Sequence, residues 1–355
     1  MELRYGMNPH QPATITPLQP GRTPFRVVLG DPSYINVLVA LGAWQLVREA
    51  SACFDRPAAA SFKHVSPAGA ALAGEVDAGM RSTYDLGDVG ALTSAYVRAR
   101  DADPKSSYGD FVAVSHPVDA ELAAFLQRLA CDGIIAPAYD KGVVGALAGK
   151  KRGTFLVLEG DAAFEPPAEE VREVYGLRLT QQRDDLPLDR SLFDGQPAAD
   201  DLLLGMVVLR YTQSNSVAFL KDGMALGIGA GQQSRIDCTQ LAGSKAQTWW
   251  LRRHPEVLAE TCRPGIKLSD RIARQLALLD SLGSTERDAW LSHLTDVSMV
   301  SDGAIPFRDN IDVAHGYGVR SIAEPGGSVR STEIIQACKD KGITLTQTGI
   351  RLFRH

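Results

Sequence analysis

Short apolar segments alternate with segments of helical periodicity along most of the chain, and this alternation limits the possible folds more than any other feature. Apolar runs of strand length occur at Arg26–Leu29, Pro57–Phe62, Phe111–Val114 and Gly133–Ile135, whereas Tyr34–Ala50 has apolar residues at helical spacing. Strands that alternate with helices predict an α/β layered fold.

The alternation restarts in the second half of the chain. Leu203–Tyr211, Ala218–Leu220 and Val297–Val300 are predicted strands, and Asp237–Trp250 is a predicted helix. The intervening residues 158–200 are polar and rich in proline, with one predicted strand near Leu177. We therefore expect two subdomains, residues 1–165 and residues 166–355.

Two pairs of segments share the same order of predicted elements. Residues 109–137 and 297–325 both have a strand, a polar turn, a helix, a strand and a proline, and residues 60–70 resemble 208–218. A duplicated α/β unit and a chance similarity of generic α/β units explain this equally well.

Composition narrows the classes of function. The chain has 355 residues, of which 45% are hydrophobic and 22% charged, with a net charge of -5, as is ordinary for a globular protein. A nucleic-acid partner is not expected without a basic surplus, so an anionic ligand must be bound by a few local cations. The N-terminus predicts no signal peptide and no apolar run approaches a membrane span, so the expected location is cytoplasmic.

The five cysteines do not form a metal-binding pattern. They are widely spaced, odd in number and contain no CxxC pair, so a zinc site is not expected. We predict that they are buried, small hydrophobic residues. The residues concerned are Cys53, Cys131, Cys238, Cys262 and Cys338.

Polar loops after predicted strands are where α/β folds bind ligands. Arg4 and Tyr5 offer a guanidinium fork and a hydroxyl that suit a phosphate, although a surface loop explains them too. Lys63 and His64 follow a strand directly. The lysine can stabilise negative charge and the histidine can accept a proton, unless the two side chains point to opposite faces of the strand.

Three further loops lie in the second half. Tyr211–Ser216 has six consecutive hydrogen-bonding side chains, which suit a polar ligand, a cation or a helix cap. Residues 227–235 combine glycines with Arg235, but the spacing is not a dinucleotide fingerprint. Residues 301–310 contain acidic residues beside an arginine, which suit a ligand or a helix cap at Asp309 paired with Arg308. The chain has no P-loop, HExxH or GxSxG motif, and the missing HxE and PCxxC motifs disfavour a zinc deaminase.

Taken together, these segments resemble the transformylase half of the bifunctional purine enzyme that also carries inosine monophosphate cyclohydrolase. The matching segments occur in the family's order over nearly the whole chain, and read LRYGMNPHQ, SFKHVSPAGAA, CDGIIAP, YTQSNSV, GIGAGQQSRI, WWLRRHP, PFRDN and RLFRH. Such a series is far more specific than any single motif.

The resemblance implies a duplicated pair of cytidine deaminase-like α/β subdomains without zinc. It also implies a homodimer with active sites at the subunit interface and small molecules as the only ligands, without nucleic acid or membrane. The cyclohydrolase domain would precede the LRYG segment, so we expect it to be absent and another protein to perform that step.

The implied reaction transfers the formyl group of 10-formyltetrahydrofolate to 5-aminoimidazole-4-carboxamide ribonucleotide (AICAR), giving formyl-AICAR and tetrahydrofolate in purine synthesis. The amine is a poor nucleophile, so the reaction needs a base for its proton and donors for the tetrahedral oxyanion. By resemblance, His64 is the base, Lys63 stabilises charge or assists the leaving nitrogen, and Asn215 holds the formyl oxygen or the folate. The resemblance also implies that Arg4, Tyr5 and Arg351 hold the ribonucleotide, chiefly through its phosphate. The other positions implied to bind the two ligands are Asn36, Gly109, Asp132, Arg235, Asp309, Phe353 and His355.

The chain departs from the family pattern at several positions. The family usually reads SDAFFPFRD, whereas Ala304 and Ile305 replace the two aromatic rings here, so we expect altered folate binding or another formyl donor. Tyr108 stands where phenylalanine is usual, and Lys105 stands where an apolar residue is common. The family also holds a potassium ion, and the matching oxygen-bearing residues are Val208, Thr212, Ser214, Ser216 and Asp302.

Two other functions remain open on the sequence. A deaminase-like hydrolase would share the fold, and a metal assay would identify it. A nucleotide-sensing protein would bind the ribonucleotide without turnover, but binding alone does not need both Lys63 and His64.

Overall fold

The computed structural model describes residues 1–263 and 265–355, and its centre is an 11-stranded mixed sheet covered by helices on both faces. The predicted α/β class is confirmed. The chain begins with the small pair β1 (Glu2–Leu3) and β2 (Ala13–Thr14), followed by β3 (Phe25–Leu29) and the helix α1 (Tyr34–Phe54).

Residues 58–160, together with β3, build the first half of the sheet. Its elements are β4 (Ala58–Lys63), β5 (Ser66–Leu72), α2 (Ala78–Tyr84), α3 (Ala91–Ala102), β6 (Asp110–Val114), α4 (Ala120–Gln127), β7 (Cys131–Ala136), α5 (Val143–Ala148) and β8 (Leu156–Gly160). A separate, exposed hairpin follows, in which the second strand confirms the one expected near Leu177 and the first was not predicted. It consists of β9 (Glu169–Val174) and β10 (Leu177–Gln182).

Residues 199–347 build the second half. Its elements are α6 (Ala199–Arg210), β11 (Ser216–Lys221), β12 (Met224–Ala230), α7 (Arg235–Leu251), α8 (Pro255–Thr261), α9 (Leu268–Leu279), α10 (Ser284–Leu291), β13 (Val297–Ser301), α11 (Asp309–Gly316), β14 (Val319–Glu324), α12 (Ser331–Asp340) and β15 (Thr344–Gln347).

The two halves repeat one topology about the centre of the sheet. The strand order is β15-β14-β13-β11-β12-β5-β4-β6-β7-β8-β3, so the second half runs outward from β12 as the first half runs outward from β5. Each half has an antiparallel hairpin beside three strands that are parallel to one another. The expected similarity of residues 109–137 and 297–325 is therefore present as β6–α4–β7 and β13–α11–β14.

One strand prediction is wrong, because Leu203–Tyr211 forms most of α6 and its C-terminal cap. This helix is buried along nearly its whole length, from Leu202 to Arg210. A helix that is apolar all round has no amphipathic period, and a short apolar run does not distinguish it from a buried strand. The predicted match of residues 60–70 with 208–218 fails for the same reason.

The structural counterpart of the β4–β5 turn is the β11–β12 turn. Lys63 and Lys221 end the first strands of the two hairpins, and the next residue has a positive φ in both, 56° at His64 and 54° at Asp222. Each lysine Nζ donates to main-chain oxygen just before the next strand of its half, at 2.9 Å and 3.0 Å respectively. The lysine contact is therefore part of the repeated fold, whereas the histidine occurs in only one copy.

Side chains of the central strands alternate between two hydrophobic cores. In β6, Phe111 and Ala113 face the core that contains α1 and α6, whereas Val112 and Val114 face the core that contains α3 and α7. Because both faces of the sheet are covered, these strands are apolar at nearly every position.

Helix α1 is long and apolar enough to cross a membrane by length and composition, with a mean hydropathy of 1.3 over its most apolar window. The sequence-based expectation that no run approaches this length therefore fails for α1. Half of that window is buried, and the helix packs on β4 and β6. A core helix passes the same test, so the finding is weak evidence for a membrane.

The two halves meet through a short contact between β5 and β12. Among the described residues its ladder has one paired position, Ala71 with Met224. The buried Arg98 of α3 spans this junction, because its guanidinium donates to the carbonyl of Leu72 at 2.6 Å and to the carbonyl of Asp222. Hydrogen bonds from a charged side chain thus join the two halves where few backbone hydrogen bonds connect β5 and β12.

A second connection joins α3 to the end of α7. The fully buried Asp101 accepts hydrogen bonds from Arg252 at 2.6 Å and from Arg253 at 2.8 Å. Burial alone would raise the pKa of Asp101, but the two guanidiniums outweigh burial and hold its pKa below the ordinary value. The ion pairs therefore stabilise the fold at neutral pH, and this stabilisation is lost as the pH falls below about 4 through the lowered pKa.

We predict that Asp101→Asn lowers the free energy of unfolding by about 3–5 kcal/mol at pH 7, because two buried guanidiniums lose their counter-charge. Urea denaturation followed by fluorescence measures the change. The matched control is Glu173→Gln, which removes an exposed ion pair with Arg178 and should cost less than about 1 kcal/mol. Equal losses in both variants would contradict the role of Asp101.

Candidate active site

Lys63 and His64 lie at the tip of the β4–β5 hairpin. The Lys63 Nζ is 2.9 Å from the carbonyl oxygens of Tyr108 and Gly109, and it donates to both. The His64 side chain is exposed and makes no hydrogen bond within the part of the chain that the structure describes. Lysine is thus held in place, and the imidazole is accessible to a ligand.

A cleft of about 710 Å³ lies beside this hairpin tip and is lined by Tyr108, Gly109 and Asp132. Gly109 has a φ of 71°, and a Cβ at this position would lie 3.0 Å from the Lys63 Nζ and 3.7 Å from the Asp132 carboxylate. Glycine therefore lets the lysine and the carboxylate approach the same backbone. Asp132 also pairs with Lys151 at 2.5 Å, in a partly exposed ion pair.

A second group of site residues is organised by the fully buried carboxylate of Asp302. It accepts hydrogen bonds from the hydroxyls of Ser214, at 2.6 Å, and Ser216, at 2.9 Å, and it forms an ion pair with Arg235. Arg235 is the first residue of α7 and is itself buried. The carboxylate thus fixes both the 211–216 loop and the arginine.

The side chain of Asn215 is almost fully engaged within the protein. Its Nδ2 donates to the carbonyls of Gln232 and Gln233, both at 3.1 Å, and its Oδ1 accepts from Arg235 at 3.0 Å. An amide has two N–H donors and two lone pairs on oxygen, so one lone pair on Oδ1 remains. In this arrangement Asn215 can accept a hydrogen bond from a ligand but cannot donate one.

The C-terminal segment, residues 351–355, lies against this group. The amide of Leu352 donates to the carbonyl of Asp302 at 2.9 Å, and the amide of Arg354 donates to the hydroxyl of Ser214 at 3.0 Å. These bonds place the exposed Phe353 ring beside Gly303, where a Cβ would lie 2.6 Å from the ring.

Two further predicted site residues contact Phe353. The guanidinium of Arg351 lies over its ring at 4.7 Å, and the ring of His355 contacts it edge-on with centroids 5.8 Å apart.

The replaced aromatic positions do not both face the site. Ile305 is fully buried in a hydrophobic core, and its amide donates to Glu324 at 3.2 Å. Ala304 is half-buried. An aromatic ring at residue 305 would have to enter the core, so only residue 304 bears on the surface beside the site.

The two groups lie at the same edge of the sheet and are joined by one hydrogen bond. The amide of Gln213 donates to the hydroxyl of Ser66 at 3.2 Å, and this connects the loop before β11 to the hairpin of Lys63 and His64. The structure therefore brings the candidate base close to the loop that carries Asn215.

Other predicted positions lie outside this contact network. Arg4 and Tyr5 contact each other, with a hydrogen bond of 3.2 Å. Asn36 forms a capping box with Ser33 at the start of α1, so its side chain has a structural role. Asp309 is exposed and accepts from Asn310 at 2.8 Å.

The ion pair expected between Arg308 and Asp309 is not among the contacts of the described residues. Arg308 pairs instead with Asp312 at 3.3 Å and with Asp340 at 3.1 Å.

The residues matched to the potassium site form two small networks of oxygen atoms. Thr212 Oγ1 donates to the carbonyl of Val208 at 2.7 Å, and the hydroxyls of Ser214 and Ser216 converge on Asp302. All these ligand atoms are oxygen, which suits a hard cation. The charge of Asp302 is already balanced by Arg235, so the set suits a monovalent ion better than a divalent one.

Three of the five cysteines are buried as expected, but Cys53 and Cys262 are half-buried. Burial raises the pKa of Cys131 to about 12 and that of Cys238 to about 11, so these thiols stay protonated at neutral pH.

Within the described ranges, one trio has metal-ligand atoms within 4.8 Å of one another, namely His254, Glu256 and Glu286. His254 Nδ1 accepts from the Glu256 amide, and Nε2 lies 3.3 Å from Glu286. A helix cap and a polar contact between His254 and Glu286 therefore account for this trio.

Sequence reasoning did not single out Ser66, Gln213 or Lys151 as parts of the site. Ser66 and Gln213 stood inside motifs that were quoted, but a contact between distant loops leaves no local pattern. Lys151 follows α5 in a basic stretch, which more often indicates a solvated surface than a cleft wall.

We predict that Ser214→Ala speeds hydrogen exchange at the Arg354 amide roughly two- to tenfold, because that amide loses its acceptor. Hydrogen–deuterium exchange mass spectrometry of the C-terminal peptide measures it. Ser216→Ala is the matched control, since it also removes a hydroxyl donor to Asp302 but does not contact Arg354. Equal exchange in the two variants would show that Ser214 does not hold the C-terminal segment.

Comparison with known proteins agrees with this arrangement of motifs. The sequence profile of the AICARFT/IMPCHase bienzyme family matches residues 1–245. The chain is 30% identical to a protein of Magnetococcus marinus and 31% identical to one of Roseobacter denitrificans, each named bifunctional purine biosynthesis protein PurH. Each alignment covers 99% of this chain and 59% of the relative, so the chain spans about three-fifths of the length of these relatives. The chain belongs to the AICARFT/IMPCHase bienzyme family.

Proposed function

We propose that the protein is an AICAR formyltransferase, which moves the formyl group of 10-formyltetrahydrofolate onto the 5-amino group of AICAR in purine synthesis. The observation that carries the proposal is the contact between the Lys63–His64 hairpin and the 211–216 loop at one edge of the sheet. This edge combines an accessible imidazole with an ordered ammonium and an amide, and formyl transfer to a weak amine needs such groups.

In the proposed reaction, the amine nitrogen attacks the formyl carbon and His64 takes the amine proton. The tetrahedral intermediate carries negative charge on the former formyl oxygen. Lys63 donates two of its three N–H groups to carbonyls, and the third is left for this oxygen or for N10 of the folate. The C–N10 bond then breaks as the formyl C=O bond re-forms, N10 receives the proton that His64 had accepted, and tetrahydrofolate leaves.

We assign Asn215 a different role from the one implied by the resemblance. Its two N–H groups are used within the protein, and one lone pair on Oδ1 is left. This favours Asn215 as the acceptor that orients an N–H of the ribonucleotide. A donor to the formyl oxygen would first have to break its bonds to the carbonyls.

The remaining assignments concern ligand binding. Arg4, Tyr5 and Arg351 would hold the phosphate, since guanidinium and hydroxyl groups match its oxygens. The other residues assigned to the ligands are Asn36, Gly109, Asp132, Arg235, Asp309, Phe353 and His355.

We also propose a homodimer with active sites at the subunit interface. Within the part of the chain that the structure describes, no hydrogen bond joins Arg4 or Tyr5 to the Lys63 hairpin, which is consistent with a site shared between two copies. We further propose two cytidine deaminase-like subdomains without zinc, residues 1–165 and residues 166–355, and the repeated topology supports the division into two such units. A cytoplasmic location and small-molecule ligands are part of the same proposal.

A potassium ion fits the oxygen set of Val208, Thr212, Ser214, Ser216 and Asp302. It would reinforce the loop that carries Asn215, and its role would be structural.

We predict that exchanging potassium for tetramethylammonium lowers the melting temperature by a few degrees, since a bound ion stabilises only the folded state. Ser216→Ala should reduce the difference between the melting temperatures in the two cations. An equal melting temperature of the native protein in both cations would show that no potassium ion is bound.

We predict that His64→Ala lowers kcat by about 10²- to 10⁴-fold, the usual contribution of a general base, and keeps the melting temperature of the native protein. Lys63→Met should lower both kcat and the melting temperature, because the ammonium also holds two carbonyls. Absorbance of tetrahydrofolate follows turnover.

Lys221→Met is the matched control, since it removes the equivalent contact from the other half of the sheet and should lower only the melting temperature. Near-normal turnover in His64→Ala would contradict the role of His64 as the general base. Intact AICAR binding without turnover in the native protein would favour a nucleotide-sensing role instead.

A further inference from the structure

A network of buried polar side chains adjoins the β4–β5 hairpin and takes no part in the mechanism proposed above. Its centre is the fully buried carboxylate of Asp110. This carboxylate accepts hydrogen bonds from Ser61 at 2.6 Å, from Tyr96 at 3.0 Å and from Arg100 at 2.7 Å. A buried charge is costly unless it is paired and hydrogen-bonded, so each of these donors offsets part of that cost.

The network contacts both sides of the hydrogen bonds that hold Lys63. Ser61 precedes Lys63 by two residues on β4, and its hydroxyl lies 2.7 Å from that of Ser107 in the loop before β6. On the other side, the carbonyl of Gly109 belongs to the peptide bond with Asp110, and it accepts from the Lys63 Nζ at 2.9 Å. Asp110 therefore connects the strand of the lysine with one of the two carbonyls that hold its ammonium.

The second half of the sheet has apolar residues at the positions equivalent to Ser61 and Asp110. The hairpin ladder of each half shifts register at one place, after Ser61 in the first and after Phe219 in the second. The parallel ladder beside it shifts register after Asp110 and after Val297. Phe219 and Val297 are fully buried, and the lysine of their half still donates to a main-chain carbonyl at 3.0 Å.

The repeated fold therefore does not require buried charge at these positions, since apolar residues that pack well can replace a buried ion pair at little cost. The lysine contacts differ in the same way. Among the described residues of the second half, the Lys221 Nζ donates to one carbonyl, that of Thr295. The Lys63 Nζ has a second acceptor, the carbonyl of Gly109 beside Asp110.

We propose that Asp110, through Ser61 and the Gly109 peptide, is a positioning residue that sets the direction of the free N–H of Lys63, and this rests on the proposed function. Two acceptors at fixed positions define the orientation of an ammonium, whereas one hydrogen bond leaves it free to pivot about that bond. An N–H that already points at the developing oxyanion stabilises it without reorganisation.

The test uses Ser61→Ala, which cuts the link between Asp110 and the strand of the lysine. Asp110→Asn is less suitable, because it leaves the buried Arg100 guanidinium without its counter-charge and destabilises the fold. The matched control is Ser94→Ala, which removes a buried serine hydroxyl of the same half that bonds to main-chain groups instead.

We expect Ser61→Ala to lower kcat about three- to tenfold and to leave the KM for AICAR unchanged, since the ammonium acts in the transition state. Ser94→Ala should keep both values. In the Lys63→Met background, Ser61→Ala should cause no further fall in kcat, because the ammonium that it positions is gone. An equal fall in both backgrounds would overturn the proposal, and so would a native kcat in Ser61→Ala.

A chemical readout does not depend on turnover. Trace acetylation with acetic anhydride, quantified by peptide mass spectrometry, compares Lys63 with Lys221 in the same molecule. We expect Ser61→Ala to speed acetylation of Lys63 about two- to fivefold relative to Lys221, because an ammonium held by two carbonyls must be released before it reacts. If the native protein does not turn over, the proposed function fails and this ratio decides about Asp110. An unchanged ratio would overturn its positioning role.

Discussion

The ion pairs of the buried Asp101 with Arg252 and Arg253 reinforce the junction of two halves whose strand ladder is very short. A carboxylate enclosed by protein is tolerated because two guanidiniums compensate its charge, and losing either side leaves an uncompensated charge. The candidate active site depends on this connection, since its loops come from both halves of the sheet. A small shift between the halves would separate the hairpin of Lys63 from the loop of Asn215.

The repeated topology distinguishes the features of the proposed site that belong to the fold from those that occur in one copy. In both hairpins the first strand ends in a lysine that donates to a main-chain carbonyl before the next strand of the sheet, so this contact has a structural role in each half. His64 stands at a left-handed turn position that Asp222 occupies in the other copy. The proposed base thus lies where the repeated fold already holds an ammonium in place, beside the cleft of Gly109 and Asp132.

Much of the fold follows from local patterns, because strands such as Phe111–Val114 and caps such as Asp119 leave a signature in the sequence. Helix α6 could not be predicted in this way, because an apolar segment that is buried on all sides has no amphipathic period. The resemblance to the family selected the residues around Asp302, but the saturated amide of Asn215 and the contact of Ser66 with Gln213 depend on tertiary structure. The burial of Ile305 also depends on packing, which a motif comparison does not contain.

We propose that formyl transfer takes place where the loops of the two halves meet. A crystal structure of the protein with AICAR and a folate analogue that cannot transfer its formyl group would locate both ligands. We expect the ribonucleotide amine within hydrogen-bond distance of His64 and beside Asn215, with the analogue along the Tyr108 cleft. Both ligands bound at another edge of the sheet, with His64 still facing solvent, would contradict it.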